Sequence, residues 1–248
     1  MRSMPAAAAP YLAVDTSGPL GSVAVGTDRG VLSRAFLDRQ GRHAADMIPC
    51  MTQALAEARV GARDLAGVVV GAGPGSFTGV RVAAATAKGL VHALRVPLWA
   101  ISSLAAAAVA ERVAASLPGL PAQLPDPGPD RLRYVLFDAR GDRLYAACYW
   151  VAEDAVKVVV APHATRLETL LEEGPPAGAW FVGDGALRHE TALRAAGRRV
   201  LPPPAGVPTA DGLLHALGLC DSHPPVADPG RWEPEYVRAS SAERVRSG

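Results

Sequence analysis

Cysteine and aromatic residues are scarce in this chain, which has three cysteines among 248 residues and aromatic side chains at 5% of its positions. Cys50, Cys148 and Cys220 lie far apart, and none of them belongs to a CxxC pair. An odd number of cysteines at such spacing argues against a disulfide framework and indicates a reducing compartment. We therefore expect a cytoplasmic protein.

An excess of either charge is also missing. The chain has 25 basic and 24 acidic residues, which give a formal net charge of +1. A protein that holds RNA by itself usually presents a clustered basic surface. If this protein serves RNA chemistry, we expect another molecule to hold most of the RNA.

Long apolar runs are absent as well. The Ala-rich stretch that begins at Leu104 stops at Glu111, which is well short of the roughly 20 apolar residues of a membrane span. The first ten residues lack the strongly apolar core that a signal peptide has. The sequence predicts no contact with a membrane.

The six histidines do not form a recognisable metal motif, because no two of them are four residues apart. Zinc and transition-metal sites usually need three or four converging ligands, and no local cluster of such side chains occurs. The sequence therefore predicts no metal site and argues against a metallohydrolase.

The most informative segment is the glycine-rich run from Gly71 to Arg81, which reads GAGPGSFTGVR. It follows an apolar strand and opens a long Ala-rich helix, so its backbone amides can bind an anion or allow close approach of another backbone. It is not a Walker A motif, because no Lys-Ser or Lys-Thr follows its last glycine. The run is either a phosphate cradle or a contact point for a partner.

Ser76 within this run is a candidate nucleophile, but a nucleophile elbow requires glycine two residues earlier, where Pro74 stands. A hydroxyl beside the start of a helix more often caps that helix. We predict that Ser76 is a helix cap.

Hydrophobic periodicity divides the chain into two halves of the same architecture, each with three strands followed by alternating helices and strands. The first strand of each half ends at an aspartate, Asp15 or Asp138, with glycine three residues later. This pattern predicts two α/β lobes, each with a mixed sheet flanked by helices, whose Asp-bearing and Gly-bearing strand ends face each other across a cleft. The predicted domains are residues 1–103, residues 104–209 with a Pro-rich linker at 117–130, and a C-terminal helix and tail, 210–248, that returns to the first lobe.

Several motifs together resemble those of the TsaB (YeaZ) family, within the actin, sugar kinase and chaperone ATPase superfamily. They include Leu12–Ser17, Arg42-His43 before an amphipathic helix, the whole glycine-rich run, and Asp138-Ala139-Arg140-Gly141. The resemblance covers residues 11–149 well and the second half loosely. It implies two actin-like (ribonuclease H-like) lobes.

The resemblance also implies a function, which is accessory and not catalytic. Members of the family serve the formation of threonylcarbamoyladenosine at position 37 of tRNAs that read codons starting with A. The implied partners are the related catalytic subunit TsaD, in a heterodimer, and the ATPase TsaE, in a ternary complex. A homodimer is implied for the isolated protein, and tRNA is contacted only through the complex.

A small-molecule kinase or ATPase of the same fold is the alternative that the loops leave open. Arg140 and the lack of a second Gly-Thr make the second phosphate loop poorly suited to close approach by phosphate. We expect no cofactor, with weakly held or interface-bound ATP or ADP as the open alternative. The loop residues that would contact a nucleotide are Asp15, Thr16, Ser17, Gly73, Gly75, Ser76, Asp138 and Gly183.

Two helices, near residues 44–58 and 78–94, are candidates for a partner interface, because Ala-rich and charge-poor flanks permit close helix–helix approach. The resemblance places a four-helix contact with TsaD, or with a second copy, on this surface. The alternative is that each apolar stripe only covers its own sheet. The predicted interface residues are His43, Met47, Ile48, Met51, Phe77, Thr78, Val80, Arg81, Ala84 and Ala87.

Overall fold

Two mixed five-stranded sheets form the framework of the protein. They are seen in a computed structural model that describes residues 9–27, 30–37, 43–110, 131–219 and 223–235. Both sheets have helices packed against their faces. The predicted fold class, two α/β lobes that each have a mixed sheet flanked by helices, is confirmed.

The first sheet has the order β3-β2-β1-β4-β5. Its strands are β1 (Tyr11–Asp15), β2 (Gly21–Thr27), β3 (Gly30–Leu37), β4 (Gly67–Gly71) and β5 (Leu98–Ile101). The first three strands form an antiparallel meander, and β4 and β5 continue the sheet in parallel. Strand β4 is buried along its whole length, as expected for a parallel strand covered on both faces.

The second sheet repeats this plan, with the order β10-β9-β6-β7-β8. Its strands are β6 (Leu132–Asp138), β7 (Leu144–Val151), β8 (Val156–Thr165), β9 (Trp180–Val182) and β10 (Arg199–Val200). Here too the first three strands are antiparallel, and the last two run parallel to the first. Strands β1 and β6 are therefore equivalent, and Asp15 and Asp138 end them at the same place.

The helices complete the two lobes. They are α1 (His43–Ala58), α2 (Phe77–Leu94), α3 (Ser103–Ala108), α4 (Leu167–Glu172), α5 (Asp184–Arg188), α6 (Glu190–Ala195) and α7 (Ala210–Leu219), with a 3-10 turn at Ala62–Asp64. None of the helices in these ranges combines the length and apolar character that a membrane span requires.

One hydrophobic core lies between the lobes and is filled by α3 and α7. It joins Ala13 and Val69 of the first sheet to Phe137 and Tyr149 of the second. The alanines of α3 are buried there, and their small side chains let two sheets and two helices approach closely. This packing brings the ends of β1 and β6 to the same cleft.

The tail, residues 223–235, lies along the first lobe. The amide of Val226 donates to the carbonyl of Leu98 at 2.7 Å, and that of Glu235 donates to the carbonyl of Ala72 at 2.9 Å. Trp232 packs against the core of this lobe. The predicted linker at 117–130 lies outside the described residues, and the three domain boundaries stay predictions.

The first turn of α7 carries a buried acid, Asp211, whose side chain is 3.1 Å from Nη1 of Arg34 on β3. Loss of hydration outweighs the attraction of Arg34 and raises the pKa of Asp211 from its ordinary 3.8 to about 6.

We expect this acid to make stability fall as pH rises from about 4 to about 6. Between these two pH values the folded chain holds a proton on Asp211 that the unfolded chain has lost. The stability contributed by Asp211 is therefore fully present below pH 3.8 and is lost as pH rises through 6. The difference between the folded and unfolded pKa of Asp211 corresponds to a loss of at most about 3 kcal/mol in the free energy of unfolding. Denaturant unfolding of the wild type and Asp211→Asn at several pH values checks this. As pH rises, the free energy of unfolding of the variant should increase relative to that of the wild type. If the two free energies change with pH in parallel, the raised pKa of Asp211 is contradicted.

Candidate functional site

A cavity of about 230 Å³ opens between the two lobes where the ends of β1 and β6 meet. It is lined by Ser17, Gly18, Pro19, Gly75, Ser76, Phe137, Asp138, Gly183, Asp184, Leu187, Pro203, Ala205, Gly206, Val207 and Pro208. Five of the eight predicted nucleotide-loop residues are among them, namely Ser17, Gly75, Ser76, Asp138 and Gly183. The remaining three, Asp15, Thr16 and Gly73, do not line this cavity.

Asp15 lies behind the cavity wall and is completely buried. Its Oδ1 accepts hydrogen bonds from the amide and hydroxyl of Ser17 at 2.7 and 2.6 Å, and its Oδ2 accepts one from the hydroxyl of Ser103 at 2.8 Å. Burial raises the pKa of Asp15, and the three hydrogen bonds act against this by stabilising the ionised form. The carboxylate thus joins β1, the loop after it and the start of α3.

The glycine-rich run packs directly against this loop. The hydroxyl of Thr16 donates to the carbonyl of Gly79 at 2.6 Å, and the amide of Ser76 donates to the carbonyl of Ser17 at 2.7 Å. A Cβ atom on Gly79 would collide with the carbonyl oxygen of Thr16, and one on Gly75 would collide with that of Ser17. Two glycines of the run therefore serve the approach of the chain's own loop.

Ser76 is the N-cap of α2, and its hydroxyl accepts the amide of Gly79 at 3.3 Å. The predicted capping role is confirmed. Gly73 has φ +89°, in the region that favours glycine. It lies beside the side chain of Val80 and the carbonyl of Glu235, which places the end of the tail against the run.

The second loop of the cleft is held by its own side chains. Nη1 of Arg188 donates to both oxygens of Asp138, at 2.7 and 2.8 Å. The amide of Arg140, a residue with φ +64°, also donates to Asp138 at 2.9 Å. Asp184 Oδ1 accepts the amides of Asp138 and Gly185 at 3.1 and 2.9 Å. Sequence reasoning missed Asp184, the middle residue of the Gly-Asp-Gly that follows β9, and Arg188, which comes three residues after this tripeptide.

Gly183 begins this loop with φ +101°, and a Cβ atom there would collide with the carbonyl oxygen of Leu136. Its place is therefore explained by the close packing of β6 against the start of α5. Whether it or any other loop residue contacts a nucleotide stays a prediction.

Half of the predicted partner-interface residues are buried in their own lobe. Met47, Met51 and Ala87 are at most 4% exposed and belong to the core of the first lobe. They cover the sheet beneath α1 and α2, so their assignment to a partner interface is wrong. The period of an amphipathic helix shows that one face is apolar but not what covers that face.

Val80 and Ala84 are also buried, at 6% and 5% exposure. Val80 lines a small pocket together with Pro234 and Glu235 of the tail. Their assignment to an interface is corrected in the same way. A charged substitution at Ala84 would destabilise the monomer and would not test a partner contact.

Four predicted interface residues are exposed on the outer side of α1 and α2: Ile48, Phe77, Thr78 and Arg81. Ile48 is 58% exposed and Phe77 is 57% exposed, which is high for large apolar side chains. The guanidinium carbon of Arg81 lies 3.7 Å from the centre of the Phe77 ring. His43 begins α1, but its side chain lies outside the described residues.

Within the described ranges, no three His, Cys, Asp or Glu side chains lie close enough together to hold a metal ion. Asp15 is turned into the protein by its three hydrogen-bond donors, and Asp138 is paired with Arg188. The arrangement is therefore that of a cleft whose acidic groups are engaged by the protein itself.

Comparison with known proteins gives a consistent result. A family model described as "TsaD: tRNA N6-adenosine threonylcarbamoyltransferase" matches residues 37–194. The chain is 27% identical over 239 residues to the tRNA threonylcarbamoyladenosine biosynthesis protein TsaB of Bacillus subtilis, which covers 94% of this chain and 95% of that one. It is 38% identical over 99 residues to the TsaB of Haemophilus influenzae, with 40% and 42% of the two chains covered.

Among solved structures, YeaZ from Pseudomonas aeruginosa superposes with a TM-score of 0.66 at 25% sequence identity, with 85% of this chain and 91% of that chain covered. A protein described as similar to peptidase YEAZ, also from Pseudomonas aeruginosa, superposes with a TM-score of 0.70 at 25% identity. That comparison covers 93% of this chain and all of the other.

The close approach of Thr16 to α2 predicts that Gly79→Ala is destabilising. Its Cβ atom would displace the loop backbone, and such overpacking costs about 1–3 kcal/mol. The matched control is Gly89→Ala in the same helix, where a Cβ atom meets nothing within 4 Å. That variant should gain about 0.5–1 kcal/mol from the better helix propensity of alanine. Urea unfolding of both variants measures the difference, and equal stabilities would show that the loop is not held tightly against the helix.

Proposed function

Because the chain belongs to the family of the tRNA N6-adenosine threonylcarbamoyltransferase TsaD, and within it to the TsaB (YeaZ) proteins, we propose that it acts in tRNA threonylcarbamoyladenosine biosynthesis as an accessory subunit. The reaction it serves is the modification of adenosine 37 in tRNAs that read codons starting with A. The observation that carries this proposal is the match to TsaB of Bacillus subtilis along 94% of this chain and 95% of that protein.

The accessory role, as opposed to a catalytic one, is supported by the state of the acidic side chains in the cleft. An acid that works on a substrate must be within hydrogen-bond reach of it. Asp15 is fully buried and accepts three hydrogen bonds from Ser17 and Ser103. Asp138 is held by two hydrogen bonds from Arg188. The chain carries no cofactor of its own in this role.

The partner is a related catalytic subunit of the TsaD type, which the chain binds as a heterodimer, with the ATPase TsaE joining a ternary complex. The isolated chain forms a homodimer, and tRNA is contacted through the complex. The net charge of +1 supports this last point, since the chain has no excess of basic residues with which to hold RNA alone. The complex works in the cytoplasm.

The partner-facing surface consists of Ile48, Phe77, Thr78 and Arg81, which we call the outer helix face. It offers two large exposed apolar side chains and a cation stacked on a ring. Aromatic residues and arginine are enriched at the centres of protein interfaces. Met47, Met51 and Ala87 support this surface from the core side of the same two helices.

Ile48→Asp should lower the affinity for TsaD at least tenfold without unfolding the chain. The substitution places a carboxylate in an interface where its desolvation is not repaid, whereas the 58% exposure of Ile48 leaves room for it in the free monomer. Leu32→Asp is the matched control, because Leu32 is also a large apolar residue of the first lobe, 54% exposed, but lies on β3. Binding by calorimetry or pull-down with purified TsaD measures both. Equal loss in both variants, or in neither, would contradict the outer helix face.

The pathway itself is tested by adding back the protein. In cells depleted of their own TsaB, expression of this chain should restore threonylcarbamoyladenosine in tRNA, measured by mass spectrometry of nucleosides. The purified chain alone should transfer no threonylcarbamoyl group, and activity should appear when TsaD and TsaE are added. Failure to restore the nucleoside with well-expressed, folded protein would overturn the proposal.

The alternative of a small-molecule kinase is not favoured, because the relative matched along 94% of the chain is a tRNA threonylcarbamoyladenosine biosynthesis protein.

A further inference from the structure

The cavity between the lobes has mainly apolar walls. Three proline rings, at Pro19, Pro203 and Pro208, surround it together with Phe137, Leu187 and Val207. The polar groups that reach it are the hydroxyl-bearing residues Ser17 and Ser76 and the carboxylates of Asp138 and Asp184. A concave apolar space with a few polar groups is the usual form of a small-molecule site.

The fold family implies that a nucleotide would place its phosphates in this cleft, and the residues present do not fit them. A phosphate is held by backbone amides that point at it. Here the amides of Ser17 and Ser76 donate to Asp15 and to the carbonyl of Ser17. Those of Asp138 and Arg140 donate to the carboxylates of Asp184 and Asp138. These four amides of the two loops are thus used within the chain.

The charges at the cavity point the same way. Two carboxylates, Asp138 and Asp184, line it, and Arg188 lies 2.7 Å from Asp138 as its ion-pair partner. A polyphosphate entering here would meet two acids and a cation that is already engaged, and like charges at short range repel strongly. An uncharged molecule would meet no such barrier.

We propose that this cavity is a binding site for a small, uncharged organic molecule that has an apolar ring body and a few hydroxyl or amino groups, as a nucleoside has, and that it discriminates against the phosphorylated form of the same molecule. The volume of about 230 Å³ lies below the roughly 300–1,000 Å³ of sites for drug-sized ligands. The occupant is therefore small, with a few hydroxyl or amide groups for Ser17, Ser76 and the acids. The residues that line this site are not those of the outer helix face, and the proposal goes beyond the accessory function.

Adenosine, AMP and ATP form the probe series, since they share one uncharged body and differ in the number of phosphate charges. Calorimetric titration of the purified full chain, without added metal, should give a Kd of about 1 mM or tighter for adenosine. The affinity should fall at least about tenfold from adenosine to ATP. Saturable ATP binding as tight as that of adenosine, or no binding of adenosine at all, would overturn the proposal.

Two pairs of variants locate the site. Val207→Trp fills the cavity and should abolish adenosine binding, whereas Val159→Trp changes a valine on β8 that is 47% exposed and outside the cavity, and should leave binding unchanged. Asp138→Asn removes one acid and frees Arg188, so ATP affinity should rise. Asp154→Asn, at an exposed acid outside the cavity, should not change it. Circular dichroism of each variant confirms the fold, and binding that survives Val207→Trp in folded protein contradicts the site.

These titrations use the isolated chain and no tRNA. If adenosine does not bind, the proposal for the cavity is wrong and the accessory function is unaffected. If the chain fails to restore the nucleoside in cells, a measured affinity for adenosine still supports the cavity.

Discussion

The buried carboxylate of Asp15 is the constraint around which the first lobe and the cleft are organised. It is removed completely from water, and this is tolerable only because three donors from Ser17 and Ser103 surround it. These bonds pull the loop after β1 inward, toward the start of α2. The loop then runs so close to that helix that only glycine fits at positions 75 and 79. The glycine-rich run and the acid are therefore parts of one structure.

The equivalent acid of the second lobe shows how a duplicated architecture can diverge. Asp138 ends β6 as Asp15 ends β1, but it is only partly buried and is held by Arg188. Asp15 is stabilised by hydrogen bonds from uncharged donors inside the protein. Asp138 is stabilised by the positive charge of Arg188 at the cavity. In both lobes the acid at the end of the first strand therefore has hydrogen-bond partners within the protein. The walls that remain are mostly proline rings and aliphatic side chains.

Helices α1 and α2 each place some apolar residues in the core of the first lobe and others on its surface. Their sequences show which residues are apolar but not which of them are buried. Met47 and Ile48 are neighbours in α1, yet one is 1% and the other 58% exposed. A helical turn of 3.6 residues rotates adjacent side chains by about 100°, so an apolar stripe two residues wide can belong to two different contacts. The buried part stabilises the lobe, and the exposed part is the surface that we propose for a partner.

Local patterns in the sequence determined the two-lobed α/β architecture, the aspartates that end β1 and β6, and the cap at Ser76, because each depends on residues close together in the chain. The predicted interface failed at Met47, Met51 and Ala87, since burial is set by elements distant in sequence. The partner of Asp138 is Arg188, 50 residues away, and the atoms that Gly79 accommodates belong to Thr16, 63 residues away. Only the tertiary structure decided these contacts. Side-chain types and periodicity describe each segment by itself and do not say which distant segments pack against each other.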